Sequence, residues 1–173
     1  MRAAALLALF ALACQPSTVP TPRDSEPGPA TPAPIPPAST AGTGAAAAGD
    51  AEVVIAASEP RVRLREPLRL TVTVRNPGSA ALVIPLTSGC LTDFEVLDGK
   101  GELLGGSEQM CTQVIGSRSV PAGGSVSDTF VWMPGRPGNS GSTPGTYRLR
   151  GVLLRQGAPV RSAPITVEVL PAG

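Results

Sequence analysis

The stretch Leu68-Arg69-Leu70-Thr71-Val72-Thr73-Val74-Arg75 decides the fold of this 173-residue chain. Its apolar residues occupy every second position, and arginine or threonine fills the positions between them. Alternation with a period of two places one face of a β-strand against a core and the other face in water. Asn76-Pro77-Gly78, which follows directly, is a turn signal. The stretch therefore predicts a half-buried strand that ends near residue 75.

Short apolar runs separated by proline and glycine continue on both sides of this strand. No long stretch has helical periodicity, so we predict an all-β chain of seven to nine short strands. Asp98-Gly99-Lys100-Gly101 is a hairpin turn signal, and Pro85 indicates an edge strand or a bulge. The predicted fold is an immunoglobulin-like antiparallel β-sandwich over residues 51–173. Besides 68–75, the apolar runs are 53–55, 62–64, 81–86, 94–97, 102–104, 113–115, 126–133, 147–154 and 165–170.

The first 13 residues predict a signal peptide. Arg2 is followed by an apolar run that ends in small residues, as in secretory signals. The run is far shorter than the roughly 20 residues of a transmembrane helix. Its end, Ala-Leu-Ala-Cys, resembles the lipobox of bacterial lipoproteins, which predicts lipidation at Cys14 and a membrane-anchored protein of the cell envelope. The alternative is an ordinary secreted protein that is cleaved elsewhere in the alanine-rich run.

Residues 14–50 predict a disordered linker. They hold nine of the chain's 20 prolines and continue as an alanine- and glycine-rich stretch. Their only large apolar residues are Val19 and Ile35, which bury too little surface to offset the entropy of ordering. We expect this segment to act as a spacer between a membrane and the folded domain.

Charge and composition exclude several classes of function. The formal net charge is +1, which argues against the basic surface that nucleic acids require. The chain has no histidine, so Ser-His-Asp and Cys-His nucleophiles lack their base, and most zinc sites lack a ligand. We predict a protein that is not an enzyme and that uses no cofactor and no metal.

The cysteines predict one disulfide. If Cys14 carries lipid, only Cys90 and Cys111 remain. Two thiols in an oxidising envelope are expected to pair with each other. Because the spacing is not that of a Cys-x-x-Cys redox site, the bond is interpreted as a structural staple.

Charged side chains offer two weaker candidates for a site. Asp93, Glu95 and Asp98 supply the oxygens that Ca²⁺ prefers, yet EF-hand spacing is absent and a solvated strand face with an Asp-Gly turn explains them as well. The row Arg61, Arg63 and Arg65 suits an acidic partner or lipid head groups. It is equally an ordinary water-facing strand.

The remaining polar and aromatic residues predict structure rather than chemistry. Ser125 and Ser127 have no base nearby in the sequence, and Lys100 lies in a predicted turn. We find no catalytic constellation. Four aromatic side chains are expected in the core: Phe94, Phe130, Trp132 and Tyr147.

Six short motifs follow one another along the stretch 68–154: Val74-Arg75-Asn76-Pro77, Ser88-Gly89, Asp93-Phe94-Glu95-Val96-Leu97-Asp98, Gly101-Glu102-Leu103, Val120-Pro121-Ala122-Gly123 and Pro144-Gly145-Thr146-Tyr147. In this order they resemble the intracellular proteinase inhibitor (BsuPI) family. Three features depart from the family pattern: Thr92 replaces an aromatic residue, Leu104-Gly105-Gly106 replaces a tryptophan, and the chain has both a cysteine pair and an export signal.

The resemblance implies an immunoglobulin-like fold and inhibition of a serine protease. A protein partner, which by this resemblance is a protease, is therefore expected, and no oligomeric state is predicted. Residues 105–111 and 134–145 are the candidate binding loops, without an identified reactive bond. The alternative function is a non-inhibitory immunoglobulin-like scaffold or adhesion domain that binds another envelope component.

Overall fold

The computed structural model describes residues 44–48, 51–136 and 143–173. The predicted signal peptide, the lipid site at Cys14 and most of the predicted linker lie outside these residues. Across the described ranges, no helix has the length and apolar character needed to cross a membrane. The described strands are β1 (Gly44–Ala48), β2 (Ala51–Ala57), β3 (Arg61–Arg63), β4 (Leu68–Arg75), β5 (Leu82–Leu86), β6 (Thr92–Leu97), β7 (Leu103–Gly106), β8 (Gly116–Val120), β9 (Ser125–Trp132), β10 (Gly145–Leu153), β11 (Val160–Arg161) and β12 (Ile165–Leu170).

The strands form two main sheets and a small one. The first has the order β1-β2-β4-β9, the second has the order β3-β12-β10-β6-β7 with β11 beside β10, and β5 pairs with β8. Strands β3 and β12 run parallel, whereas β4 pairs antiparallel with β2 and β9 on its two sides. Strand β5 has only β8 as its partner in the described sheets, so Pro85 lies in an edge strand as predicted.

Strand β4 has the predicted bounds and the predicted faces. Leu68, Leu70, Val72 and Val74 are buried, and the arginine and threonine residues between them are exposed or partly exposed. The alternation of apolar and polar residues in β4 therefore matches the alternation of buried and exposed side chains. It does so because β4 lies between two strands and over the core.

The two main sheets pack face to face around one core. Phe94 of β6 meets Phe130 of β9 edge-on, with ring centroids 5.5 Å apart. Trp132 of β9 meets Tyr147 of β10 in the same way at 5.8 Å. All four aromatic side chains are buried, which confirms the predicted core positions. The fold is the predicted immunoglobulin-like β-sandwich.

Two details fix the packing of β10. A Cβ atom at Gly151 would lie 2.9 Å from Val72 Cγ1, so the sheets approach too closely there for any larger residue. The Tyr147 hydroxyl donates a hydrogen bond of 2.8 Å to the Thr143 carbonyl oxygen, four residues upstream. A tyrosine that bonds back to the preceding backbone is typical of immunoglobulin-like sandwiches.

Asn76 joins two turns that are far apart in the sequence. Its buried amide nitrogen donates to the carbonyl oxygens of Ala80, Val120 and Pro121 at 2.7, 3.0 and 3.0 Å. Its side-chain oxygen accepts from the Gly78 backbone N–H. The Asn-Pro-Gly turn after β4 and the turn between β8 and β9 therefore form one unit.

Three parts of the chain differ from the prediction, and the smallest is the two-residue strand β11, which no apolar run indicated. Residues 113–115 form no strand, and the strand in this region is β8 (Gly116–Val120), which pairs with β5. The apolar run 113–115 led to a wrong prediction, because the strand here is determined by backbone pairing with β5 and the residues that pair are 116–120. Residues Gly44–Ala48 pair with β2, so the linker prediction does not hold for them. Backbone pairing needs no large side chains, and composition therefore did not reveal it.

Candidate functional site

Exposed apolar side chains concentrate in one part of the chain, residues 103–115, which we call the apolar segment. It holds five of the seven large apolar side chains that are exposed among the described residues. Large exposed apolar groups that occur together mark surfaces for partners. The five are Leu103, Leu104, Met110, Val114 and Ile115.

The apolar segment begins in an edge strand. Strand β7 pairs with β6 through Val96↔Gly105 and Glu95↔Gly106, and it ends the described path of its sheet. It carries neither proline nor a charged side chain, the devices that usually protect an exposed edge. This edge is therefore available for contact with another chain.

Side-chain hydrogen bonds hold the segment after β7. The Ser107 backbone N–H donates to Asp93 Oδ1 at 3.3 Å. The Gln109 side-chain amide donates to the Thr92 carbonyl oxygen at 2.6 Å. Both acceptors belong to β6, so residues 107 and 109 are tied to the sandwich.

The disulfide holds the segment on the other side of Met110. Cys90 and Cys111 are bonded, with their Cα atoms 5.4 Å apart, and the predicted pair is present in the structure. Beside it, the Gly89 N–H donates to the Thr112 carbonyl oxygen at 2.8 Å. A Cβ atom at residue 89 would lie 2.1 Å from Thr112 Oγ1, so a larger residue there would require the Thr112 side chain to move.

Met110 is presented between these two anchors. Its neighbours Gln109 and Cys111 are bonded to the sandwich, whereas its own side chain is 96% exposed. A backbone that is fixed on both sides of an exposed apolar side chain loses little entropy when a partner encloses that side chain. The arrangement is suited to presenting a residue to a pocket on another protein.

A groove of about 430 Å³ lies beside the disulfide. Its lining includes Gln109, Arg118 and Asp128. Asp128 accepts a hydrogen bond of 2.6 Å from the Thr92 hydroxyl, which fixes the β6 residue whose carbonyl anchors Gln109. The groove thus shares its walls with the anchors of the apolar segment.

The structure gives the three candidate calcium carboxylates separate structural contacts. Asp93 Oδ1 accepts from the Phe94 N–H as well as from Ser107. Asp98 Oδ1 accepts from the N–H groups of Lys100 and Glu102 and closes the hairpin turn. No group of three metal-binding side chains occurs within the described ranges.

Glu95 is the centre of an ion-pair cluster on the second sheet. Arg150 and Arg161 both bond its carboxylate, and the Arg161 Nε lies 3.1 Å from each oxygen. Burial raises the pKa of Glu95, but hydrogen bonds and charge from Arg161 and Arg150 outweigh it, so the pKa is lowered from 4.5. The cluster therefore links β6, β10 and β11 through charged side chains.

The predicted arginine row is not continuous. Arg61 pairs with Glu168 at 2.8 Å, and Arg63 is exposed on the same strand. Arg65 lies in a turn with φ of 67°, a conformation that non-glycine residues rarely adopt, and its N–H donates to the Pro134 carbonyl oxygen. The row prediction is wrong for Arg65 because the chain turns before this residue.

The other sequence candidates have structural positions. Ser127 Oγ lies 2.8 Å from Thr73 Oγ1 on the neighbouring strand, and Ser125 is an exposed residue of β9. Lys100 is exposed in the hairpin turn, as predicted. Of the candidate loop 134–145, residues 137–142 lie outside the described residues.

Sequence reasoning placed Met110 in a candidate binding loop without singling it out, and it missed Val114 and Ile115 as surface residues. The candidate loop 105–111 included Met110 but not the two others, which were assigned to a strand. The available signal was the position of Met110 next to a cysteine that was predicted to be bonded. The anchoring role of Gln109 had no signal, because a glutamine in a loop is unremarkable in a sequence.

Comparison with known proteins gives one family match. The family model described as BsuPI, intracellular proteinase inhibitor, matches residues 56–158. No curated protein matches the chain.

Solved structures provide more distant similarities. The CARDB domain of the PF1109 protein from Pyrococcus furiosus is 19% identical, with 71% of this chain and 94% of that chain covered and a TM-score of 0.41. The sporulation control protein Spo0M from Bacillus subtilis is 18% identical, with 73% and 51% covered and a TM-score of 0.45. The alkylpurine DNA glycosylase AlkC from Pseudomonas fluorescens, bound to DNA, is 15% identical, with 73% and 32% covered and a TM-score of 0.43.

Proposed function

This chain belongs to the BsuPI family of intracellular proteinase inhibitors, and from this membership we propose that it binds and inhibits a serine protease. The surface that we assign to this task is the apolar segment, residues 103–115. The protein is a non-enzymatic binding module in this proposal. The absence of histidine from the whole sequence and the description of the family as inhibitors both support that interpretation.

The observation that carries the proposal is the exposure of apolar side chains on an anchored backbone. Met110 is held between Gln109, which bonds β6, and Cys111, which is bonded to Cys90. An inhibitor must present its contact residues in a fixed conformation, because affinity depends on preorganisation more than on the area that is buried. Rigid protease–inhibitor pairs change little in backbone conformation on binding.

We further propose that the protein is anchored in the cell envelope. The proposal rests on the apolar run before Cys14, the lipobox-like Ala-Leu-Ala-Cys, and the proline-rich residues that follow. The disulfide supports it, because such bonds persist in oxidising compartments. A Cys14→Ser variant expressed in a bacterial host should lose labelling by radioactive palmitate and leave the membrane fraction. A variant that remains labelled and membrane-bound would contradict the tether.

The inhibitory function is tested by titrating the full chain against subtilisin-like, chymotrypsin-like and trypsin-like proteases. We expect stoichiometric or tight inhibition of at least one of them at micromolar protein. Binding should be lost when the protease active site is first blocked with an irreversible peptidyl inhibitor, because the apolar segment would compete for the same cleft. Unimpeded digestion of the folded chain, or no inhibition at micromolar protein, would contradict the proposal. Capture of a membrane or envelope protein without inhibition would instead support a scaffold or adhesion module.

A further inference from the structure

We infer that Met110 is the side chain that enters the specificity pocket of the protease, and that the Met110–Cys111 peptide bond faces its catalytic serine. This inference rests on the proposed inhibitory function and specifies the class of protease. The partner is a serine protease whose specificity pocket is apolar and accepts a long unbranched side chain.

The position of Met110 relative to the anchors is the first argument. Its side chain is 96% exposed, while the residues on both sides are bonded to the sandwich by the Gln109 amide and by the disulfide. A residue that enters a pocket must project fully from its own protein, and the backbone around it must stay in place. Met110 meets both conditions.

Ile115 is the informative comparison. Its side chain is 85% exposed and apolar, yet it lies four residues beyond Cys111, outside the loop that the disulfide closes. A cut after Ile115 would fall outside residues 90–111. Ile115 therefore shares the exposure of Met110 but lacks its place within the disulfide loop.

The two exposed leucines are excluded by their backbone. Leu103 pairs with Leu97 of β6, and Leu104 lies at the irregular step of the same pairing. Backbone atoms that already belong to a sheet cannot turn their peptide bond toward a catalytic serine without breaking that sheet. These residues are placed to contact the rim of the protease instead.

The disulfide gives the Met110–Cys111 bond a further property. Hydrolysis of this bond consumes one water, leaves a carboxylate on Met110 and an amino group on Cys111, and leaves the S–S bond intact. Cys90 stays on the first fragment and Cys111 on the second, so the bond at residues 90 and 111 keeps the halves together. The cut inhibitor can then remain in the cleft rather than leave as product.

The chemistry of Met110 sets the class of pocket. Methionine is uncharged, flexible and apolar, so it suits an apolar cavity and gives no ion pair to an acidic one. Glu108 is the only charged residue between residues 103 and 115. A protease whose pocket holds a buried carboxylate would gain nothing from this segment.

The test compares substitutions at Met110 with a matched change at Ile115, in the full chain, against the protease with an apolar pocket that wild type inhibits best. Met110→Leu should keep its inhibition constant close to that of wild type. Met110→Asp should weaken inhibition ~30-fold or more, the size of an interface hot spot. Ile115→Asp should weaken it far less. Met110→Arg should lose potency against this protease and gain potency against trypsin.

A second readout identifies the bond itself. After long incubation with a catalytic amount of protease, the inhibitor should run as one band without reductant and as two bands with it. Amino-terminal sequencing of the smaller fragment should begin at Cys111. Unfolding midpoints of all variants should match that of wild type, because both side chains are exposed.

The outcomes separate the two claims. If wild type inhibits and Met110→Asp inhibits equally well, or the cut maps to another bond, the assignment of Met110 is wrong while the inhibitory function stands. If wild type inhibits only trypsin-like proteases, the assignment of an apolar pocket is wrong. If wild type inhibits no protease, both the inference and the proposed function are overturned.

Discussion

Strand β4 and the apolar segment use the same kind of residue in opposite ways. In β4 the apolar side chains are buried and contribute to stability at roughly 25 cal/mol per Å². In residues 103–115 they remain exposed, and the backbone is held by a disulfide and side-chain hydrogen bonds instead. The difference teaches that folding and binding rest on separate residues, so mutations should affect them separately.

The largest expected effect is in the core. Trp132→Ala removes a fully buried side chain that packs on Tyr147, and it should lower the free energy of unfolding by about 3–5 kcal/mol. Met110→Ala, the control in the apolar segment, should change it by about 0.5 kcal/mol or less. Urea denaturation measures both, and equal losses would contradict the separation of folding from binding.

The disulfide is where the two regions meet. Replacing both Cys90 and Cys111 with alanine removes a disulfide between residues that are 21 positions apart. This change should lower the free energy of unfolding by about 3 kcal/mol. The same variant should also inhibit more weakly, because the Cys111 side of Met110 loses its anchor. Measuring denaturation and the inhibition constant on one preparation shows both effects. A less stable variant with unchanged inhibition would show that the segment does not need this anchor.

Asn76 offers a change to stability alone. Asn76→Ala removes the amide that donates to the carbonyl oxygens of Val120 and Pro121, of which Pro121 keeps the Gly124 N–H as a donor, and it should cost about 1–3 kcal/mol. Asn76→Asp keeps the shape but places a carboxylate oxygen against the same carbonyl oxygens, so it should be destabilised at least as much as Asn76→Ala. Inhibition at a temperature where the variants are folded should stay at the wild-type value. Weakened inhibition in the folded variants would show coupling between this unit and the apolar segment.

The smallest expected effect is the acid dependence of the Glu95 cluster. Since the folded pKa of Glu95 is lowered from 4.5, the unfolded chain binds its proton more readily. The carboxylate therefore adds stability above pH 4.5, and this contribution is lost as the pH falls through the folded pKa. The free energy of unfolding of wild type should exceed that of Glu95→Gln near neutral pH, and this difference should shrink as the pH falls. A difference that grows as the pH falls would contradict the assignment of a lowered pKa to Glu95.

The sandwich could be predicted from the sequence because the alternation of apolar and polar residues within each core strand indicates which of its faces is buried. Strand β4 and the four core aromatics needed no knowledge of their partners. Strand β8 and the paired Gly44–Ala48 were missed, since their pairing depends on backbone groups that every residue carries. The anchoring amides of Asn76 and Gln109 were also missed, because a side-chain bond to a distant carbonyl leaves no local pattern.

The features shared with the family and the departures from it lie in different parts of the molecule. Asn76 and Asp98, which belong to motifs shared with the family, close turns of the sandwich. The departures from the family pattern instead lie in or beside the apolar segment: Thr92 is buried and bonds the Gln109 anchor, Leu104-Gly105-Gly106 is part of the segment, and the cysteine pair holds it. Residues of the shared motifs therefore close turns of the sandwich, whereas the three departures lie in or beside the apolar segment.

Amide hydrogen exchange on the protease complex tests the central claim most directly. The full chain is compared alone and with the protease that it inhibits, the latter carrying alanine in place of its catalytic serine. Exchange should slow within residues 107–115 and stay unchanged in β9, where Val131 is an exposed apolar residue outside the segment. Slowing confined to β9, or to the Glu95 cluster, with no change in residues 107–115 would contradict the assignment of the apolar segment as the protease-binding surface.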